Sequence, residues 1–192
     1  MTRDRYVTEC DRIIAELSEN ENPDALREWM RLMVRSDIFF LGVYVCERED
    51  LNHDWLYERC REVQENPDGY IDIWAREHYK STIITWLKTM QDILINPEER
   101  ICIYSFNQTL AKSFVNQVKT EFETNWRLKW LFPEILWEDP LKGTYIDENG
   151  VRQRIPWTTD SIRVKRKSRA KEDTLTASGL VTGQKTGGHY TI

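Results

Sequence analysis

The chain has 192 residues, of which 40% are hydrophobic, 31% charged and 11% aromatic, an ordinary globular composition with apolar material for one core. Its formal net charge of −5 gives no overall reason to expect nucleic-acid binding. The longest apolar run, residues 38–46, is interrupted by Gly42 and falls well short of the roughly twenty residues that a membrane span needs.

The opening Met1-Thr-Arg-Asp-Arg5 leads into a polar, amphipathic segment and not into a signal peptide. Cys10, Ile13, Ile14 and Leu17 then recur at helical spacing, as do Leu26, Trp29, Met30 and Met33. Residues 18–23 separate the two stripes, and Asp24 stands where a helix start favours an acid. After the apolar run, residues 52–65 predict another helix with Leu56, Cys60 and Val63 inward, and Asn66-Pro-Asp-Gly69 predicts a turn.

The period then changes. Tyr70-Ile-Asp-Ile-Trp74 reads as a short strand, residues 81–94 as a helix with Ile83, Trp86 or Leu87, Met90 and Leu94 inward. Residues 100–105 read as a second strand, and residues 107–126 as a long helix with inner stripe Leu110, Phe114, Val118 and Phe122. Beyond Phe132-Pro133, residues 144–147 and 151–155 flank Glu148-Asn149-Gly150 as a hairpin. Residues 163–167, 175–180 and 189–192 look like further short strands. The order strand, helix, strand, helix predicts an α/β fold with a parallel sheet and crossover helices, a helical lead-in over 1–66 and a core from 67 to 192.

Cys10, Cys46, Cys60 and Cys102 form no CxxC pair, and with His53, His78 and His189 they give no zinc spacing. Scattered single thiols suit a reducing compartment. The eight tryptophans read as packing residues.

Two segments carry charge in a pattern that chemistry could use. Between residues 163 and 171 lie Arg163, Lys165, Arg166, Lys167, Arg169 and Lys171 with no acid among them. Such a run is either a solvated face or a phosphate contact, and on a strand Arg163, Lys165 and Lys167 would share one face as a candidate DNA contact. The second is Trp74-Ala-Arg-Glu-His-Tyr-Lys-Ser-Thr82, which leaves the predicted strand and enters the predicted helix. A helix start offers unpaired N–H groups and a positive dipole to phosphates; Lys80 could reach the β- and γ-phosphates and the Ser81 hydroxyl could ligate Mg²⁺. The glycines of G-x-x-x-x-G-K-[ST] are replaced by Trp74 and Tyr79, and a tyrosine does not adopt positive φ cheaply. On residues alone, an ordinary helix start with a solvated lysine explains the pair better.

Asp72-Ile-Trp-Ala-Arg-Glu-His-Tyr-Lys-Ser-Thr-Ile-Ile-Thr85 resembles the variant Walker A segment of tailed-phage terminase large subunits, which keeps an Arg four residues before the Lys and tolerates loss of the glycines. Ser36-Asp-Ile-Phe-Phe40, Ile103-Tyr-Ser-Phe-Asn107, Ala111-Lys-Ser-Phe114, Leu131-Phe-Pro133 and Ser178-Gly-Leu-Val-Thr-Gly183 follow the same family in order. The resemblance implies a P-loop NTPase-like core of the ASCE type and an ATPase that drives double-stranded DNA into a capsid. Its nucleotide site would comprise Arg76, Glu77, His78, Tyr79, Lys80, Ser81 and Thr82, with Arg76 and Lys80 catalytic, Mg²⁺ at Ser81, and ATP as the nucleotide. Arg76 could instead pair with Glu77, and His53 and Trp55 fall where such motors hold the adenine, with core packing as the alternative. A portal protein, a small terminase subunit, a homo-oligomeric ring and the host cytoplasm are implied in the same way.

No acid follows Asp173, and Gly187-Gly-His-Tyr-Thr-Ile192 looks like the opening of the strand that should end in catalytic acids. The expectation is therefore an incomplete domain with little hydrolysis of its own. Two alternatives stand beside the packaging motor: a fragment of a helicase-like nucleic-acid translocase, and a non-enzymatic remnant that binds DNA or capsid proteins.

Overall fold

A computed structural model describes residues 1–19, 22–66, 71–180 and 190, in two compact units, Met1–Leu87 and Lys88–Ile192. The expected turn at 67–69, the strand residue Tyr70 and the closing strand at 187–192, apart from Tyr190, lie outside the described residues.

The first unit is helical. Helices α1 (Arg3–Glu19) and α2 (Pro23–Ser36) follow the two predicted stripes, with Cys10, Met30 and Val34 buried. Asn22 caps α2 by accepting from the Ala25 N–H at 3.1 Å, and Pro23 occupies the first turn, where its missing N–H costs nothing. Asp37 then stops α2 in an extended conformation and opens the next helical segment, α3 (Ile38–Phe40), which continues as a π-helical turn over Leu41–Val45. Its carboxylate accepts from the Phe39 and Phe40 N–H groups at 2.9 and 3.2 Å, from the Tyr6 hydroxyl, and from Arg61 at 2.6 Å. Arg61 comes from α4 (Asp54–Glu65) and lies over the rings of Tyr57 and Tyr6. One buried acid thus ties α1, α3 and α4 together, and burial beside Asp37 pushes the Tyr6 hydroxyl far above its ordinary value. Truncating Asp37 would leave Arg61 and two backbone donors without their acceptor, a loss of about 3 kcal/mol or more.

Residues 71–75 form no strand. Ile71 and Ile73 are 82% and 88% exposed, so the apolar alternation that predicted a strand meets no sheet to bury it. The helix expected after it is present, first as a π-helical stretch, Ser81–Lys88, then as α5 (Thr89–Ile95). Ile83, Trp86, Leu87, Met90 and Leu94 are buried as the pattern required.

In the second unit, β1 (Ile101–Ser105) runs parallel to β5 (Leu175–Gly179), and β4 (Ser161–Ile162) runs antiparallel to β5 on its other side. Helix α6 (Gln108–Thr124) packs on β1 and β5, and α7 (Trp126–Leu131) follows. The described sheet therefore holds one parallel pair and one antiparallel pair. This corrects the expected mostly parallel, P-loop NTPase-like sheet: strands are few and short, and helix and irregular chain dominate. Alternation in short aromatic segments suggested more strands than the backbone could pair.

The inner stripe of α6 is also corrected. Ala111, Val115, Val118 and Phe122 are buried, whereas Leu110 is 49% exposed. The helix starts in close contact with the sheet: a Cβ built on Gly179 would lie 2.7 Å from the Gln108 Cβ and 3.0 Å from its backbone. A side chain at position 179 would therefore meet the first turn of α6, so this close approach of β5 to α6 requires glycine there.

The hairpin is as expected. Strands β2 (Thr144–Ile146) and β3 (Arg152–Arg154) pair antiparallel around a turn in which Gly150 takes φ +80° and Asp147 accepts from the Asn149 and Val151 N–H groups. No helix among the described residues is long and apolar enough to cross a membrane.

Candidate phosphate-binding loop

Residues 74–82 line a cavity of about 370 Å³. Two features of the backbone shape it. Glu77 and Tyr79 have φ of +64° and +60°, so two of the three residues before Lys80 are left-handed. Non-glycine residues rarely adopt that region; it costs of order 1 kcal/mol each and is found mostly where function holds the chain in place. Tyr79 stands at the position where the glycine-rich pattern has its second glycine, so the loop takes the glycine conformation without the glycine.

The strain is held by side chains. The Tyr79 hydroxyl donates to Asp50, which also takes a two-pronged contact from Arg48 at 2.8 and 2.7 Å. Arg48 lies over the Trp86 ring at 5.5 Å. The hydrogen bonds from Arg48, and then from Tyr79, hold the Asp50 carboxyl down at about 2, and Asp50 in turn raises the Tyr79 hydroxyl above its ordinary value. Inside the loop, His78 Nδ1 donates to the Arg76 carbonyl at 2.6 Å, which leaves Nε2 as its outward nitrogen.

The loop ends in a helix start. Lys80 is the first helical residue, and the Ile83 N–H donates to the Tyr79 carbonyl at 2.9 Å, so the N–H groups of residues 80–82 precede the first helical donor. A π-helical stretch as long as Ser81–Lys88 is rare, and such stretches are frequent at functional sites.

The predicted residues fall as follows. Arg76, Glu77, His78, Lys80 and Ser81 are exposed, while Tyr79 and Thr82 are half-buried. Neither Arg76 nor Lys80 makes an ion pair with a described residue, so the pairing of Arg76 with Glu77 does not form. A second, smaller cavity of about 200 Å³ adjoins the loop, lined by Asp50, His53, Trp55, Leu56 and residues 77–79. Trp55 is half-buried; its ring meets Trp74 at 5.7 Å and His78 at 5.6 Å. His53 caps α4, its Nδ1 accepting from the Trp55 N–H at 3.2 Å. Arg48 and Asp50 were not legible as site residues, because nothing in their spacing ties them to a tyrosine nearly thirty positions on.

The other predicted group does not assemble as expected. β4 ends at Ile162, and residues 163–167 leave the sheet: the Lys165 N–H donates to the Ile135 carbonyl and the Arg163 N–H to the Pro156 carbonyl. Arg163 is buried, bonded to Asp173 at 3.0 Å and to the carbonyls of Ala170, Lys171 and Glu172. Lys165 donates to the Pro133 carbonyl at 2.7 Å and lies over Trp137, while Lys167 is exposed. Arg163, Lys165 and Lys167 therefore share no strand face.

Among the described residues, no group of three acid, histidine or cysteine side chains could hold a metal ion. In comparisons with known proteins, no family model matches the sequence, and neither a curated protein nor a solved structure matches it.

Proposed function

We propose that residues 74–82 bind the phosphates of a nucleoside triphosphate, ATP with Mg²⁺, and that the chain is the nucleotide-binding part of a DNA-packaging motor of the terminase type. The observation that carries the reading is the left-handed pair Glu77 and Tyr79 immediately before an exposed Lys80 and Ser81 at a helix start. Left-handed residues turn successive N–H groups into one concavity, which is how backbone alone cradles an oxyanion. Lys80 brings a mobile positive charge to that concavity, and Arg76 a second.

Bound Mg·ATP would supply the phosphoanhydride and the metal's charge; the chain's own residues hold and orient it. Lys80 neutralises the outer phosphates, and Ser81 offers its hydroxyl to the metal. The guanidinium of Arg76 is positioned to stabilise charge on the terminal phosphate. The neighbouring cavity, with Trp55 and Leu56 as its apolar wall, suits a stacked purine. The motor, its double-stranded DNA, and portal and small-subunit partners rest on the resemblance of the loop and of the five other stretches to terminase large subunits.

The test is a calorimetric titration of the full chain with Mg·ATP. Binding by the wild type and its loss in Lys80→Ala, with the fold intact by circular dichroism, is the expected outcome. Equal affinity in the two proteins sinks the assignment of the loop.

A further inference from the structure

A cavity of about 370 Å³ in the second unit lies between the hairpin and residues 163–169. Its wall contains Arg163, Lys165, Arg166, Lys167 and Arg169, together with the aromatic side chains Tyr145 and Trp137; among the described residues no carboxylate lines it, and the Glu98 carboxylate accepts from the Lys167 and Ser168 N–H groups. Tyr145 stacks under the Arg163 guanidinium at 3.9 Å, and Trp137 fixes the chain by donating from Nε1 to the Arg163 carbonyl at 2.8 Å.

The two arginines are fixed by the same device. Arg163 Nη2 donates to the carbonyls of Ala170, Lys171 and Glu172, and Arg166 Nη2 donates to those of Ala170 and Glu172. One nitrogen of each guanidinium thus anchors it to the 170–172 turn, and Asp173 takes Nε of Arg163. What remains is unsatisfied: Nη1 of Arg163, and Nε and Nη1 of Arg166, are buried with no hydrogen-bond partner. Arg163 itself is only 2% exposed. A buried donor without an acceptor is destabilising, and more so when it is charged. Two such groups beside one cavity form an incomplete constellation. Burial and the neighbouring Arg163 also lower the Arg166 guanidinium below its ordinary value, against the opposing influence of Asp173 and Glu98.

From this geometry we infer that the cavity is a binding site for a phosphate oxyanion, held by Arg163 and Arg166 and gathered by Lys167 and Arg169 at its mouth. An oxyanion presents several acceptor oxygens at once, which the planar donors of paired guanidiniums match and a chloride or carbonyl does not. Lys165 adds charge from a position fixed by the Pro133 carbonyl. The phosphate can belong to a nucleic-acid strand or to a small phosphorylated molecule, and Tyr145 and Trp137 offer a face to the group attached to it.

The site lies in a different unit from the Lys80 loop, so the two readings fail separately. The test uses the full chain in the Lys80→Ala background, which removes the proposed nucleotide site from the measurement. Two probes are titrated: inorganic phosphate by calorimetry, and a fluorescein-labelled ten-residue oligothymidylate by anisotropy at several salt concentrations. Arg163 is too deeply built into the fold to be the clean variant, so Arg166→Gln and the surface pair Lys167→Gln/Arg169→Gln are compared. Binding that weakens about tenfold in Arg166→Gln, and severalfold in the surface pair, is expected. Strong oligonucleotide binding with a steep salt dependence and only millimolar phosphate affinity identifies a nucleic-acid strand as the source. Saturable phosphate binding with no oligonucleotide affinity identifies a small phosphorylated ligand. Absence of binding by both probes, or affinities unchanged in both variants, overturns the site. If Arg166→Gln fails to fold, the surface pair alone decides on the same criterion.

Discussion

The chain holds two groups of cations that a reader of the sequence would send to phosphate, and the fold treats them in opposite ways. In residues 74–82 the cations are few, and Arg76 and Lys80 stand exposed with no ion pair to a described residue. In residues 163–171 they are dense, yet Arg163 is buried on Asp173 and three carbonyls, and Lys165 is bonded to the Pro133 carbonyl. Local cation density therefore says little about availability. Packing decides which donors the neighbouring carbonyls and acids take, and which, like Nη1 of Arg163 and Nε and Nη1 of Arg166, they leave unpaired.

The largest effect that would sharpen the contrast is on stability. Arg163→Ala leaves Asp173 and the Lys171 carbonyl without the Arg163 donor, and should destabilise the protein by about 3 kcal/mol, read as a lower denaturation midpoint. Lys80→Ala should leave that midpoint within about 0.5 kcal/mol and instead weaken Mg·ATP binding roughly 10- to 100-fold by calorimetry. The reverse result, a stable Arg163→Ala and an unstable Lys80→Ala, would break the comparison.

A smaller effect separates shape from side chain within the loop. Tyr79→Gly keeps the left-handed conformation at φ +60° at no steric cost, so Mg·ATP affinity should stay within severalfold of wild type. Tyr79→Val, β-branched and ill suited to that region, should lose about tenfold or more. Equal affinity in the two variants would show that the left-handed turn does not matter for binding.

The smallest effect is set by acid. Asp50 is held at about 2, below its ordinary 3.8, so its anchorage of Tyr79 is fully present above the ordinary value and lost as pH falls through the folded one. Tryptophan fluorescence near the loop should therefore change between roughly pH 4 and 2 in the wild type. That step should be absent in Asp50→Asn, and an identical profile in both would remove Asp50 from the loop's support.

Much of the local structure was legible in the sequence. The stripes of α1, α2 and α4, the helix over residues 81–94, strands β1 and β5 and the hairpin around Gly150 all follow from spacing and turn chemistry, which act over a few residues. So did the placement of Lys80 and Ser81 at a helix start. The strand at residues 70–74, the mostly parallel sheet and the cationic strand face did not survive, because a strand exists only if a partner supplies its hydrogen bonds. The stripe of α6 held only in its second half: Val118 and Phe122 are buried as expected, whereas Leu110 is exposed and Ala111 and Val115 take the inner positions of the first half.

The sequence by itself determined which segments are helical, where the chain turns, and that a Lys-Ser pair preceded by an arginine opens a helix. Those features depend on neighbours within about one turn. Tertiary structure alone decided that Tyr79 adopts the backbone of a glycine, with Asp50, itself bonded to Arg48, taking its hydroxyl from another part of the chain. It alone decided that Arg163 is a buried residue and Arg76 an exposed one. Burial and partnership are set by contacts across tens of residues, and no local pattern encodes them.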